Sequence, residues 1–347
     1  MPTLDSIISP LPFAVTIFII AAAIIAFVGI RMTHVARTIA GHTGMGEAVM
    51  GAVFIGASTS LSGIIASITA AHAGHAPMAV SNSLGGIAVQ TLFLAFADIA
   101  YRRANLEHAA ATAENLMMTA FLLTLLSIHL VALGIPDIAV FAVHPASVIL
   151  IGAYLFGIYL LRRTHKMPMW YPRRTRETRL KKEDTKRSRK ANLPGLWAKF
   201  GIYSAVVATA GWTLAQTGIH IAQYTGLSEG IVGGVFTAVS TSLPELVIAI
   251  TAVRMGALML AVGDIVGGNA FDTLFIAMSD IAFREGPIYA SISVVEAFWL
   301  AITILMSAIL MMGLVHRERY GFANIGLESL LLLIVYFGGL AIIGIFI

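Results

Sequence analysis

An all-α membrane protein, ten transmembrane helices folded as two inverted five-helix repeats, is what three observations in this 347-residue sequence predict. Hydrophobic residues make up 58% of the chain and charged ones 12%, where a soluble domain carries about 25% charge. Apolar stretches of about 20 residues recur, each long enough to cross a ~30 Å hydrocarbon core as a helix. Residues 43–100 and 225–282 are one segment written twice, 182 positions apart, with roughly 26 of 58 positions identical. Shared hydrophobicity alone does not produce such a match.

The spans lie near 12–30, 46–72, 77–100, 113–133 and 143–161, then 197–217, 229–253, 257–282, 290–314 and 325–346. The first is not a typical signal peptide: no basic residue precedes it and its apolar run is too long. Between the halves, residues 162–196 are the one long polar stretch and hold thirteen of the 22 Lys and Arg. Arg31, Arg37, Arg102, Arg103, Lys199, Arg254, Arg317 and Arg319 fall in loops on the same side, and Arg284 opposite. The positive-inside rule makes the 162–196 loop cytoplasmic and puts both termini outside, in the cell (inner) membrane. Five spans on each side of that loop give a first repeat at 1–161 and an inverted second one at 197–347. The net charge of +4 belongs to this loop. A solvated linker beside anionic lipid accounts for it, and it gives no reason to expect nucleic acid. Cysteine is absent, which excludes disulfides and thiolate metal sites. A monomer in the lipid bilayer is expected.

Chemistry concentrates in the second copy. Thr241-Ser242-Leu243-Pro244-Glu245 lies mid-span, where proline removes a helix donor and should break the helix. Freed carbonyls in a bilayer must face protein or a water-filled cavity. Thr241, Ser242 and Glu245 would then turn hydroxyl, carbonyl and carboxylate oxygens toward one point, a donor set suited to hard cations such as Na+ and Ca2+. The next span carries Asp264 and Asp272. Glu245 and Asp272 are each 13 or 14 residues from the turn near Gly256–Leu258, so both lie ~20 Å deep at matching height. Two carboxylates at one depth can cancel one divalent charge; without a cation they would repel and retain a proton. Acids in mid-span are costly and mark functional sites.

The first copy offers the same scaffold with fewer ligands. Thr59 and Ser60 match Thr241 and Ser242, while Gly63 stands for Glu245, Ser62 for the proline, Gln90 for Asp272 and Asn82 for Asp264. Its donors are hydroxyl, amide and backbone oxygens. Gly85 and Gly86 suit close helix packing as well as a site. Asp98, Asp280, Glu47, Glu229, Glu114 and Glu296 lie nearer span ends and read as structural acids. His72 and His75 read as exposed histidines in a short outward loop.

Ser240-Thr241-Ser242-Leu243-Pro244-Glu245, with Gly263-Asp264-Ile265-Val266-Gly267-Gly268-Asn269-Ala270-Phe271-Asp272, resembles the second α-repeat of the sodium/calcium exchanger family, within the cation/Ca2+ antiporter superfamily. The resemblance extends over nearly the whole chain. It implies a secondary transporter that exchanges Na+ for Ca2+ by alternating access, the first helix of each half sliding against a central core. It further implies Glu245 as a shared Ca2+ and Na+ ligand and Asp272 as the second central acid. Oxygens of Thr241, Ser242, Thr59 and Ser60, and backbone carbonyls at Ala238 and Gly56, would complete the site. No permanent cofactor is implied; Ca2+ and Na+, or H+, are cargo.

The departures are specific. Gly63 stands where the family's first repeat carries a glutamate, Gly86 and Gly268 replace its signature serines, and Ile87 and Gln90 replace an asparagine pair. About two negative charges remain where the family can have three, so exchange of one divalent for about two monovalent cations is expected. A cation/proton exchanger, an exchanger for another divalent ion such as Mg2+ or Mn2+, and a transport-impaired member with a channel-like or regulatory role stay as alternatives. An intramembrane enzyme is disfavoured, because no Ser/His or His/Glu metalloprotease arrangement shares a depth.

Overall fold

The computed structural model describes residues 11–43, 54–101, 105–135, 138–166, 192–319, 321 and 325–346. Glu47, Arg102, Arg103 and most of the basic loop lie outside the described residues. Within them the regular elements are helical, apart from one isolated bridge, Val140–Val143.

The first half runs α1 (Leu11–Thr43), α2 (Gly56–Thr59), α3 (Leu61–His72), α4 (Ala76–Ala100), α5 (Leu106–Ala110), α6 (Ala113–Leu133) and α7 (Pro145–Lys166). In the second half α8 (Leu193–Thr225) precedes a line made of α9 (Glu229–Ile231), a π-helical stretch (Val232–Thr237), α10 (Ala238–Thr241) and α11 (Leu243–Met255). Then follow α12 (Leu258–Asp272), α13 (Leu274–Ala282), a short 3-10 turn (Ile288–Ser291), α14 (Val294–His316) and α15 (Leu327–Phe346).

Among the described residues, seven helical lines are long and apolar enough to cross a membrane, and the α9–α11 line, bent by 46°, makes eight. Two expected spans differ in kind. α3 has 12 residues, and α8, although 33 residues long, is interrupted by Gly, Thr, Trp, Gln and His. Exposed Phe13, Ile19, Ile20 and Phe27 on α1 give that helix a lipid-facing side. In contrast 83% of the most apolar stretch of α4 is buried, and 72% of that of α12–α13. These two lines therefore form the centre, where polar side chains find partners instead of lipid.

Four basic residues expected in loops prove to be helical. Arg31 and Arg37 belong to α1, Lys199 to α8 and Arg254 to the last turn of α11. A 33-residue helix spans about 50 Å, so it overhangs a ~30 Å hydrocarbon core and carries charges on helix instead of loop.

The repeat extends beyond the duplicated segment. Asp98 accepts the backbone N–H groups of Leu106 (2.6 Å) and Gly326 (2.9 Å). Asp280 accepts those of Ile288 (2.7 Å) and His144 (2.7 Å), all four donors obeying the same 182-residue offset. Both acids are structural, as their place near span ends foretold. Glu296 closes a capping box with Ser293 at the start of α14. His75, however, is half-buried and bonded to Glu229 at 2.5 Å. That carboxylate holds its imidazolium above the ordinary histidine range.

Beside Asp98 lie two further acids, Glu107 in α5 and Glu328 in α15, where the offset places Tyr289 and Ala146 beside Asp280. Burial, with Asp98 and then Glu328 nearby, pushes the Glu107 carboxyl up to about 8 from about 4.5. Between those values the folded chain holds a proton that the unfolded chain has released. The stability contributed by this group is therefore full below about 4.5 and falls as pH rises to about 8. Glu107→Gln should flatten the pH dependence of Tm across that window and raise Tm at pH 9. Thermal unfolding of the detergent-purified protein would check this; an unchanged slope contradicts it.

Candidate cation site

Both copies of the repeated helix break at the same place. Ser60 ends α2 at φ −80°, ψ 2°, and Ser242 ends α10 at φ −95°, ψ 2°. In the second copy Pro244 follows at once and explains the break. The first copy has no proline. There Ser62 donates its hydroxyl to the Thr241 carbonyl (3.3 Å), so one break is tied to the other. Gly211 of α8 packs directly on the Ser62 backbone, where a β-carbon would lie 2.5 Å from the carbonyl oxygen. Pro244 in turn packs against Gly29 of α1.

Around these breaks the side chains converge on two buried acids. Asp272, 2% exposed, ends α12, and Glu245, 6% exposed, sits in the first turn of α11. Their carboxylates are near enough to repel one another. Asp272 accepts the Ser60 hydroxyl on Oδ1 and the Gln90 amide on Oδ2 (2.7 Å). Gln90 also donates to the Ser242 hydroxyl at 3.3 Å. The Thr59 hydroxyl faces Glu245 and donates to the Gly56 carbonyl at 3.0 Å. Its repeat mate Thr241 donates to the Ala238 carbonyl at 3.1 Å. Two oxygens in this group, Glu245 Oε2 and Gln90 Oε1, are buried with no hydrogen-bond partner. Buried acceptors left in that state are costly unless something positive meets them.

Nine of the eleven residues singled out from sequence thus gather at the two breaks. The other two do not. Asn82 donates to the Gly63 carbonyl (3.1 Å) and the Ser67 hydroxyl (2.8 Å), which ties α4 to α3. Its repeat mate Asp264 is ion-paired with Arg37 of α1. Among the described residues no three His, Asp or Glu side chains are arranged to hold a metal ion, so the centre has two carboxylates and neutral oxygens.

Sequence reasoning missed Arg37, which it placed in a loop. The signal was present: Gly29, Thr33 and Arg37 recur at helical spacing on the face of α1 that meets the core. It also missed Phe275, whose ring fills the space over Gly63; a β-carbon there would come within 2.7 Å of it. No local pattern reveals such a cross-helix neighbour. Gly85 has the packing role expected of it, meeting the Gly234 backbone, whereas Gly86 leaves room before the Ser242 hydroxyl (3.8 Å). Asn269, quoted above only as part of a motif, bonds Thr91 at 2.9 Å and fixes α12 on α4.

An all-helical integral membrane protein with two equivalent helix breaks around a buried pair of acids has the architecture of a secondary cation transporter. The chain belongs to the sodium/calcium exchanger protein family, whose model matches residues 13–162 and 196–344. It is 34% identical over 88 residues to inner membrane protein YrbG of Escherichia coli, covering 25% of this chain and 27% of that protein. Over 73 residues it is 33% identical to sodium/calcium exchanger MaX1 of Methanosarcina acetivorans, 21% of each. The matched segments thus span about a quarter of the length of these curated relatives. Its fold is similar to that of the sodium-calcium exchanger NCX_Mj soaked with 10 mM Na+ and zero Ca2+, at TM-score 0.60 and 18% identity over 95% of this chain and 99% of that one. The same exchanger soaked with 100 mM Na+ and 10 mM Sr2+ gives TM-score 0.59 at 16% identity, over 95% and 98%.

Proposed function

We propose that this chain is a secondary active antiporter exchanging Ca2+ for Na+ by alternating access, with Glu245 and Asp272 as the central cation ligands. The observation that carries the reading is the buried, neighbouring pair of carboxylates, with Glu245 Oε2 unpartnered. Hydroxyl and backbone oxygens at Thr59, Ser60, Thr241, Ser242, Gly56 and Ala238 supply further donors as the helices move. YrbG and MaX1, named as a membrane protein and a sodium/calcium exchanger, support the class and the cargo.

Ten spans in two inverted halves, 1–161 and 197–347, with the 162–196 loop cytoplasmic and both termini outside, are part of this reading. A single chain in the inner membrane would suffice for it. Two central charges match one divalent cation against about two monovalent ones. Phe275 over Gly63 supports that ratio, since it closes the place a third acid would need. A second reading, exchange against protons, draws on the same observation, because two neighbouring buried carboxylates without a cation repel and retain a proton.

Purified protein in liposomes, loaded with radiolabelled Ca2+ under an imposed Na+ gradient or an imposed pH gradient, tests the proposal. Saturable Ca2+ movement driven by Na+ is expected. Movement driven only by pH selects the proton reading, and movement driven by neither contradicts the antiporter.

A further inference from the structure

We infer that Arg37 and Asp264 form a charged gate, in which the guanidinium of α1 closes the crevice leading from Glu245 to the end of the bundle where α11 turns into α12. The gate is defined by geometry alone, while its use in ion passage rests on the transport reading above.

One crevice is lined by Arg37, Gly56, Thr59, Glu245, Ala249 and Asp264. Its polar residues lie at different depths. Asp264 is six residues into α12 from Leu258, and Glu245 is ten residues before the end of α11 at Met255. At 1.5 Å per residue these are about 9 and 15 Å from the turn, so the ion pair lies some 6 Å nearer the end than the central acid. Exposure follows the same order. The side chains of Arg37 and Asp264 are 24% and 12% exposed, and Glu245 is 6% exposed. A cation leaving Glu245 in this direction meets Arg37 first.

Chemistry makes that meeting decisive. The guanidinium sets a positive charge in a crevice whose other polar side chains, Thr59, Glu245 and Asp264, offer acceptor oxygens. It neutralises Asp264, which removes that carboxylate as a competing ligand, and it repels a cation of like charge. Its Nε is buried without a partner, so the contact with Asp264 through Nη2 leaves donor capacity unused.

The two sides of the gate stand on different helices, Arg37 on α1 and Asp264 on α12. α1 packs most extensively on α8. Both meet the helix breaks through glycine, Gly29 on Pro244 and Gly211 on Ser62. Such contacts allow close approach without interlocking side chains. Against that smooth surface the Arg37–Asp264 pair fastens α1 to α12. Opening the crevice at this end requires the pair to part.

The chain has no cysteine, so a thiol introduced at Ala249, buried in the crevice wall, reports access alone. Ala249→Cys protein in liposomes would be treated with membrane-impermeant methanethiosulfonate reagents, one cationic and one anionic, in the wild-type, Arg37→Gln and Asp264→Asn backgrounds. Both substitutions should speed modification by both reagents about fivefold to thirtyfold. The exchanged pair Arg37→Asp with Asp264→Arg should slow it again. Leu125→Cys, in a separate fully buried cluster, should stay unmodified throughout, which separates gate opening from unfolding. Unchanged rates, or acceleration of one reagent with slowing of the other, would overturn the gate, the latter showing only a field effect. A protein that moves no ions yet gives the expected labelling loses the transport reading and keeps the gate.

Discussion

Glu245→Gln, or Asp272→Asn, is expected to abolish coupled Ca2+ uptake and weaken divalent binding by about tenfold to a hundredfold, the worth of one charged contact. Either change keeps the side chain's shape and halves the central charge. A divalent cation would then sit in a buried site with one positive charge unmatched, which is costly. The same substitution relieves repulsion between the two acids when no cation is present, so the purified variant should unfold at the wild-type temperature or higher. What it should lose is the rise in Tm on adding Ca2+. A variant that keeps a wild-type Ca2+ shift would contradict the assignment of that acid.

The second large effect is expected at Gly63. Its neighbour is the Phe275 ring, 2.7 Å from where a β-carbon would stand, so Gly63→Ala should cost about 1–3 kcal/mol through overpacking. Gly63→Glu alone should cost more and stop transport. Paired with Phe275→Ala, the glutamate gains the space the ring gave up and adds a third acid beside Glu245 and Asp272. The double variant should carry a larger inward current per Ca2+ than the wild type, because a third monovalent cation is then matched. Electrical recording from proteoliposomes checks this; an unchanged current with a stable, active double variant would show that the missing acid does not set the ratio.

The sequence made the scaffold legible because duplication leaves its mark at every level. The offset that aligns Thr59 with Thr241 also aligns Asp98 with Asp280 and their backbone donors. Pro244 foretold one break through a local steric cause. The matching break at Ser60 has no such local signature, since Ser62 acts through a hydrogen bond to Thr241 in the other half. Asp264 and Asn82 show the same limit from the other side. They are equivalent in register and both stand on the central helices, yet one meets Arg37 and the other the Gly63 carbonyl. Which neighbour a side chain meets depends on helix packing that no single segment encodes. Arg37 was misplaced because a basic residue near a span end is ordinarily a loop or interface residue, and here the helix simply continues to Thr43.

The most direct test of the two-acid site is to see the cation itself. A crystal of the purified protein soaked in Sr2+, a slightly larger Ca2+ stand-in with a strong anomalous signal, should give a peak at or just beyond the Ca2+ contact range of about 2.3–2.6 Å from carboxylate oxygens of both Glu245 and Asp272. A peak bound elsewhere, such as among Asp98, Glu107 and Glu328, with none between Glu245 and Asp272, would contradict the account.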